Sequence, residues 1–351
     1  MHLNSHRNKK SKVAWIVEHH DWKGYYPFER ASIILNAIRE EVEIFAFVKG
    51  ANHYSIELFT SHNITPIIFE RYDEVLKAVR NLQINCLVLD SFDVPSDKVE
   101  QMKQYCDTLI ALDDFSDSAS KANFNLKALY EETREFNYSN EINGTYFFAA
   151  SAMLKEIRSY RKTNKATFHE TPHVCIYFED GDKNNLTYRT LRHFIQLHIP
   201  LKISVILDDA YSHPQDELSL MALSRKNIHL IRGKEAILET LKDADCLICN
   251  CLYTPYKAAF IEIPCITTAQ HERELSLAFP NEQNGFSNIG LGRKMKQSHL
   301  QNALMEILLH ESRRQRAIKL QQKSQIQLNN EIFQKLVVDL ANNYDHYPSI
   351  F

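Results

Sequence analysis

The loop Glu18-His19-His20-Asp21-Trp22-Lys23-Gly24-Tyr25-Tyr26-Pro27-Phe28-Glu29-Arg30 gathers two imidazoles, several carboxylates and a guanidinium directly after the apolar run Val13–Val17. Such a set can move protons as general acid and base and can hold an anion. Asp90-Ser91 and Leu112-Asp113-Asp114 set further carboxylates immediately after apolar runs. An Asp in that position also forms turns or caps helices. Glu179-Asp180-Gly181-Asp182-Lys183-Asn184-Asn185-Leu186-Thr187 combines three acids with a glycine. Its spacing departs from the Ca²⁺-loop pattern, and Asn184 or Asn185 can cap the helix that follows. Cys246-Leu247-Ile248-Cys249-Asn250-Cys251 has a CxxCxC spacing. Alternation along a strand sends Cys249 and Cys251 to one face and Cys246 to the other, so buried thiols are expected there and no metal.

The elements that must position these groups are legible as an alternation of short β-branched runs with segments of helical period, the signature of βαβ units. Strands are expected at Val13–His19, Glu43–Val48, Pro66–Glu70, Ile84–Asp90 and Thr108–Asp113, with helices at Glu29–Glu40, Tyr54–Ser61, Tyr72–Leu82 and Ser96–Tyr105. The basic stretch Arg158–Thr171 reads as a linker. The alternation then restarts, with strands at His173–Phe178, Lys202–Leu207, Ile228–Ile231, Cys246–Cys251 and Cys265–Thr268. Helices are expected at Leu186–Leu197, Gln215–Leu223, Lys234–Lys242, Pro255–Ile261 and Glu272–Phe279. After Gly292 the chain turns helical, opened by a capping box from Ser298 to Gln301. The expected architecture is α/β, two Rossmann-like doubly wound domains at residues 1–165 and 166–351, the second ending in a helical tail. In doubly wound sheets ligands sit outside the carboxyl ends of the strands, here in a cleft between the domains.

Composition removes several classes of function. With 24% charged and 44% hydrophobic residues the chain is neither disordered nor fibrous. A formal net charge of −3 offers no field for nucleic acid or an anionic membrane, and Arg313-Arg314-Gln315-Arg316 reads as a solvated helix face. No run reaches the ~18 apolar residues of a membrane span, and Val13–Val17 is too short for a signal-peptide core. Seven cysteines, an odd number within apolar runs, suggest reduced thiols and a cytoplasmic setting. Only eight glycines occur, so few loops can bring backbone close to a phosphate. No GxSxG, Walker or HExxH motif is present.

In order and spacing, the loops resemble the UDP-sugar hydrolases of pseudaminic acid biosynthesis and the related spore coat polysaccharide biosynthesis protein G group, GT-B relatives of MurG. The resemblance runs from Val13 to Gly292. The family's acidic residue and GxGHxxR loop match Glu18, Gly24 and Arg30, with Tyr26 at the second glycine and Pro27 at the histidine. Its D-S/Y strand end matches Asp90-Ser91, and its I-D-D matches Leu112-Asp113-Asp114. GGSDxxNLT corresponds to Glu179–Thr187, keeping Asp182 and Asn185-Leu186-Thr187. AGGSTxYE followed by GxPxI corresponds to Asn250–Lys257 and Glu262–Ile266, keeping Thr254, Tyr256, Pro264 and Ile266. Cys251-Leu252 stand at the glycine pair, Lys257 at the ribose-binding glutamate, and Arg273-Glu274 at an Asn-Gln pair.

The resemblance implies hydrolysis of, or transfer from, a UDP- or CMP-type nucleotide-activated sugar in surface or spore coat polysaccharide synthesis, with no cofactor. Glu18, His20, Arg30, Asp90 and Asp114 are the implied catalytic set, Arg30 meeting a leaving phosphate. Gly24, Asp182, Asn185, Thr187, Thr254, Tyr256 and Lys257 are implied to bind the nucleotide-sugar. Loss of the family histidine removes a proton-transfer group worth on the order of 10²–10⁴ in rate, which His19 or His20 could replace from the same loop. The alternative is a catalytically degenerate relative that serves as a binding or scaffold subunit of a glycan-building complex, alongside partner proteins.

Overall fold

A computed structural model of the chain describes residues 10–20, 24–114, 116–127, 141–143, 151–163, 170–179, 181–197, 199–326 and 330–342. Of the loops singled out above, Asp21, Trp22, Lys23 and Asp180 lie outside these residues. The chain runs β1 (Lys12–Glu18), α1 (Tyr26–Ile38), β2 (Glu43–Lys49), α2 (His53–Thr60), β3 (Ile67–Phe69), α3 (Tyr72–Leu82), β4 (Ile84–Asp90), α4 (Ser96–Lys103), β5 (Cys106–Leu112), β6 (Phe124–Lys127) and β7 (Glu141–Asn143). It continues through α5 (Ser151–Thr163), β8 (His173–Tyr177), α6 (Leu186–Ile195), β9 (Lys202–Leu207), α7 (Asp216–Ser224), β10 (Ile228–Arg232), α8 (Lys234–Lys242), β11 (Cys246–Cys249), α9 (Thr254–Ile261), β12 (Cys265–Ala269) and β13 (Phe286–Leu291). Three helices close it, α10 (Gln297–Leu309), α11 (Glu311–Lys323) and α12 (Asn330–Asn342).

The chain divides into two units. The first holds β1–β7, α1–α4 and α12, the second α5–α11 and β8–β13. The first sheet has the order β3-β2-β1-β4-β5-β6-β7 and the second β10-β9-β8-β11-β12-β13, with every described pairing parallel. Both therefore carry the doubly wound 3-2-1-4-5-6 order, which places a switch point between β1 and β4 and another between β8 and β11. Central strands read as unbroken apolar runs because helices cover both faces. Val13–Val17 and His173–Tyr177 are buried throughout.

Five expectations are corrected. Arg158–Thr163 is not linker but the end of α5, where Leu154 and Ile157 are buried and Arg161 donates to the carbonyls of Lys242, Ala244 and Glu262. The division expected at residues 165/166 therefore moves ahead of α5, and the helical tail does not stay in the second unit. Its last helix, α12, packs on β1 and β4, with Phe333 edge-on to Trp15 at 5.9 Å between centroids. Helix α10 begins at Gln297 after an Lys296 that makes no side-chain cap, so the Ser298 box is not formed. The helix expected over Glu272–Phe279 is a single 3₁₀ turn, Glu272–Ser276, opened by a capping box between His271 and Glu274. Strands β6, β7 and β13 were not expected from the sequence. Among the described residues no helix is long and apolar enough to cross a membrane.

Candidate functional site

At the first switch point the register sets side chains side by side. Parallel pairing aligns Glu18 with Lys49 at the ends of β1 and β2, and Val17 with Asp90 at the end of β4. Tyr72 opens α3 immediately after β3 and so reaches the same edge. The Lys49 ammonium donates to Glu18 Oε1 at 2.5 Å, while the Tyr72 and Ser91 hydroxyls donate to Glu18 Oε2 at 2.5 and 2.6 Å. Burial pushes the Glu18 carboxyl upward, but these three hydrogen bonds outweigh it and hold the group below the usual carboxylate range. Burial and the Glu18 charge together push the Tyr72 phenol up. Lys49 Nζ also lies 4.7 Å from the centre of the Tyr72 ring, a cation–π contact.

His20 stands beside this cluster, its Nε2 3.7 Å from Glu18 Oε2. That nitrogen accepts the Phe92 N–H at 3.2 Å, which assigns the neutral tautomer with its proton on Nδ1. Gly24 holds the far side of the loop, its N–H donating to the His20 carbonyl at φ +62°. The His19 ring turns to Tyr25 and Phe28. Side chains of Glu18, His20 and Lys49 are 15%, 20% and 27% exposed, so the cluster meets solvent.

The other expected catalytic residues lie deeper. Arg30 clamps Asp90 with two hydrogen bonds of 2.6 Å and reaches Asp113 at 2.5 Å, and all three side chains are fully buried. Burial opposes the guanidinium charge, but the two carboxylates outweigh it and raise its pKa. Its fork is spent on ties between α1, β4 and β5, not held open for a leaving phosphate. Asp114 accepts from the Ser116 N–H and from the Ser116 and Ser118 hydroxyls at 2.7–3.0 Å, which makes it the anchor of the turn after β5. Lys49 and Tyr72 are the residues the sequence reading missed. The aligned ends of neighbouring parallel strands were the signal for Lys49.

The second switch point has another character. Asp182, in a left-handed conformation at φ +47°, accepts the Leu186 and Thr187 N–H groups at 2.7 Å each and so caps α6. Burial pushes its carboxyl up to about 6 against those bonds. Thr187 is buried behind it, and Asn185 accepts from the Tyr211 hydroxyl. Lys257 is neither bare toward solvent nor unpaired in the interior: its ammonium bonds Glu179 at 2.8 Å and lies over the Tyr253 ring. The Thr254 hydroxyl donates to the same buried Glu179. Tyr256 is buried and stacked on Phe279 at 3.9 Å, a packing role. Glu274, fully buried, accepts the N–H groups of Cys251, Gln270 and His271 at 3.0–3.2 Å. Burial pushes it up to about 7 despite those donors. The cysteine expectation stands in part. Cys246, Cys249 and Cys251 are buried thiols, but β11 ends at Cys249, whose sulfur lies 3.3 Å from that of Cys265. Asn250 is fully buried, with neither amide atom hydrogen-bonded.

No protein-family model matches the chain. A stretch of 210 residues is 25% identical to the uncharacterized protein MJ1062 of Methanocaldococcus jannaschii, covering 57% of this chain. The match spans 43% of that relative's length, less than half of it. Among solved structures, MurG of Acinetobacter baumannii superposes with a TM-score of 0.67 at 12% identity, over 94% of this chain and 99% of MurG. UDP-GlcNAc 2-epimerase of Neisseria meningitidis, solved with UDP-GlcNAc bound, superposes with a TM-score of 0.56 at 8% identity, over 94% and 99%. The fold is GT-B-like, two parallel α/β units of the same strand order.

Proposed function

We propose that the chain acts on a nucleotide-activated sugar of UDP or CMP type, hydrolysing it or transferring from it, in the building of a surface or spore coat polysaccharide. One observation carries this reading: the carboxylate of Glu18 and the imidazole of His20 stand 3.7 Å apart, part-exposed, at the β1–β4 switch point. A carboxylate there can take the proton of an attacking water or acceptor hydroxyl, and the imidazole beside it is a second group that can exchange protons at the same edge. Asp90, Arg30 and Asp114 support this edge from behind as a buried frame. In the second unit, Lys257 is the cation on the loop that the resemblance assigns to the nucleotide, and Asn185 keeps its loop in shape there, as Gly24 does in the first unit. The MurG-like fold and the sugar nucleotide bound to the epimerase neighbour support the substrate class.

The degenerate alternative draws on a specific observation too. The Cys251 N–H, in the loop where the resemblance puts a diphosphate, already serves the Glu274 carboxylate. A thermal-shift titration with UDP, CMP, GDP and UDP-N-acetylglucosamine separates the two. A ligand at a hundredfold excess over Kd stabilises the fold by ~2.7 kcal/mol, a clear rise in Tm. The expected result is a shift with one nucleotide class and a 10²–10⁴-fold loss of turnover in Glu18→Gln. A cooperative melt that none of the four ligands moves would leave the scaffold reading.

A further inference from the structure

The carboxylate of Glu18 is bound too well to be a good base. Its two oxygens offer about four lone pairs, of which Lys49, Tyr72 and Ser91 occupy three. Proton-transfer groups work best when their affinity lies near the working pH, and three donors on one carboxylate draw it away from that range. Arg30 cannot supply the cation here, since it is buried between Asp90 and Asp113. Lys49 is paired too, but it is far less buried than Arg30. It is the more exposed partner of its ion pair, it ends a strand at the mouth of the switch point, and its flexible stem lets the ammonium turn outward without unfolding β2.

We infer that Lys49 is the anion-recognition residue of the first unit: a phosphoryl group of the ligand draws its ammonium off Glu18, and that exchange frees Glu18 to accept a proton. The inference rests on the reading above for its ligand class. Lys49 then couples binding to chemistry, because Glu18 becomes basic only when a phosphoryl group is in place. The other groups facing Glu18 stay where they are. These are His20 from the loop after β1, the phenol of Tyr72 from α3, and Ser91 after β4, with the charge of Asp114 after β5 acting on Tyr72. Release of Lys49 leaves the carboxylate with two neutral hydroxyl donors, weaker partners than an ammonium.

The test follows the ¹³C signal of the Glu18 carboxyl through a pH titration of the full chain, the signal being identified by its loss in Glu18→Gln. Inorganic pyrophosphate is the probe, compared with chloride at matched ionic strength. In the wild type, pyrophosphate should raise the Glu18 midpoint by about one pH unit, a tenfold gain in proton affinity. In Lys49→Met the midpoint should start higher and stay fixed when pyrophosphate is added. Lys49→Arg, which keeps the charge, should restore the response and guards against misreading a folding defect. A wild-type midpoint that pyrophosphate leaves unmoved, or one that moves equally in Lys49→Met, overturns the inference. Because the probe carries neither nucleoside nor sugar, a positive result beside four silent nucleotides would sink the proposed substrate and leave the Lys49 exchange standing.

Discussion

The carboxyl edges of the two sheets begin from the same strand order and end in opposite chemistry. In the first unit the cluster of Glu18, His20, Lys49 and Tyr72 meets solvent, and the Glu18 carboxyl is held low by its donors. In the second, Asp182 and Glu274 are buried against backbone N–H groups and pushed up to about 6 and about 7. One edge leaves a paired carboxylate and ammonium part-exposed. The other spends its carboxylates on its own backbone. The difference teaches where a doubly wound sheet with very few glycines puts its anions. A buried backbone N–H needs an acceptor, and here a carboxylate of the same chain supplies it.

The largest effect that would sharpen this contrast lies behind the first edge. Arg30→Met leaves Asp90 and Asp113 buried without a counter-charge, and breaking a buried ion pair in this way costs about 3–5 kcal/mol. Urea denaturation should show that loss. A variant of wild-type stability with impaired turnover would return Arg30 to direct catalysis and break the distinction between frame and cluster.

Next in size is the pH response of the second edge. Folded Glu274 keeps its proton to about pH 7, whereas the ordinary value is 4.5. Its stabilising contribution is therefore present below pH 4.5 and lost as pH rises through 7, on the order of 3 kcal/mol in all. Glu18 has the reverse sign: its contribution is present above 4.5 and fades as pH falls. Denaturation of wild type and Glu274→Gln between pH 5 and 8 should show the variant gaining on wild type as pH rises. Parallel curves would mean that the carboxylate is better solvated than its burial implies.

Much of this was legible in the sequence. The ends of β4 and β9 and both ends of α3 fall where apolar period and β-branching put them, because buried parallel strands must be apolar on both faces. Glu18 was found for the same reason, as the first carboxylate after such a run. What the sequence hid was direction and pairing. Arg30 and Asp90 are 60 residues apart, and nothing local says that the guanidinium turns inward and neutralises two carboxylates. Tyr256 sits in a retained motif, but its stack on Phe279 depends on how the turn after β12 folds. Strand β13 escaped notice because Phe286–Leu291 is short and broken by Gly290 at φ +79°. Basic composition disguised α5, whose Arg161 serves carbonyls and not solvent.

The smallest effect is the most discriminating for the second unit. Asp182 is both a residue the family resemblance gives to the nucleotide and the acceptor of the first N–H groups of α6. Asp182→Ala should cost about 1–2 kcal/mol through the lost cap, with strain added because alanine is unfavourable at φ +47°. Asp182→Asn tolerates that conformation and still offers an acceptor, so it should recover most of the loss. Its standing against wild type should improve as pH rises through 6, since the folded carboxyl is raised above its ordinary 3.8 and loses its contribution there. Nucleotide affinity, measured by calorimetry on the Asn variant, then decides the matter. Unchanged affinity makes Asp182 a cap alone, in keeping with an edge that spends its carboxylates internally. A tenfold weakening would mean that this edge keeps a charge for its ligand.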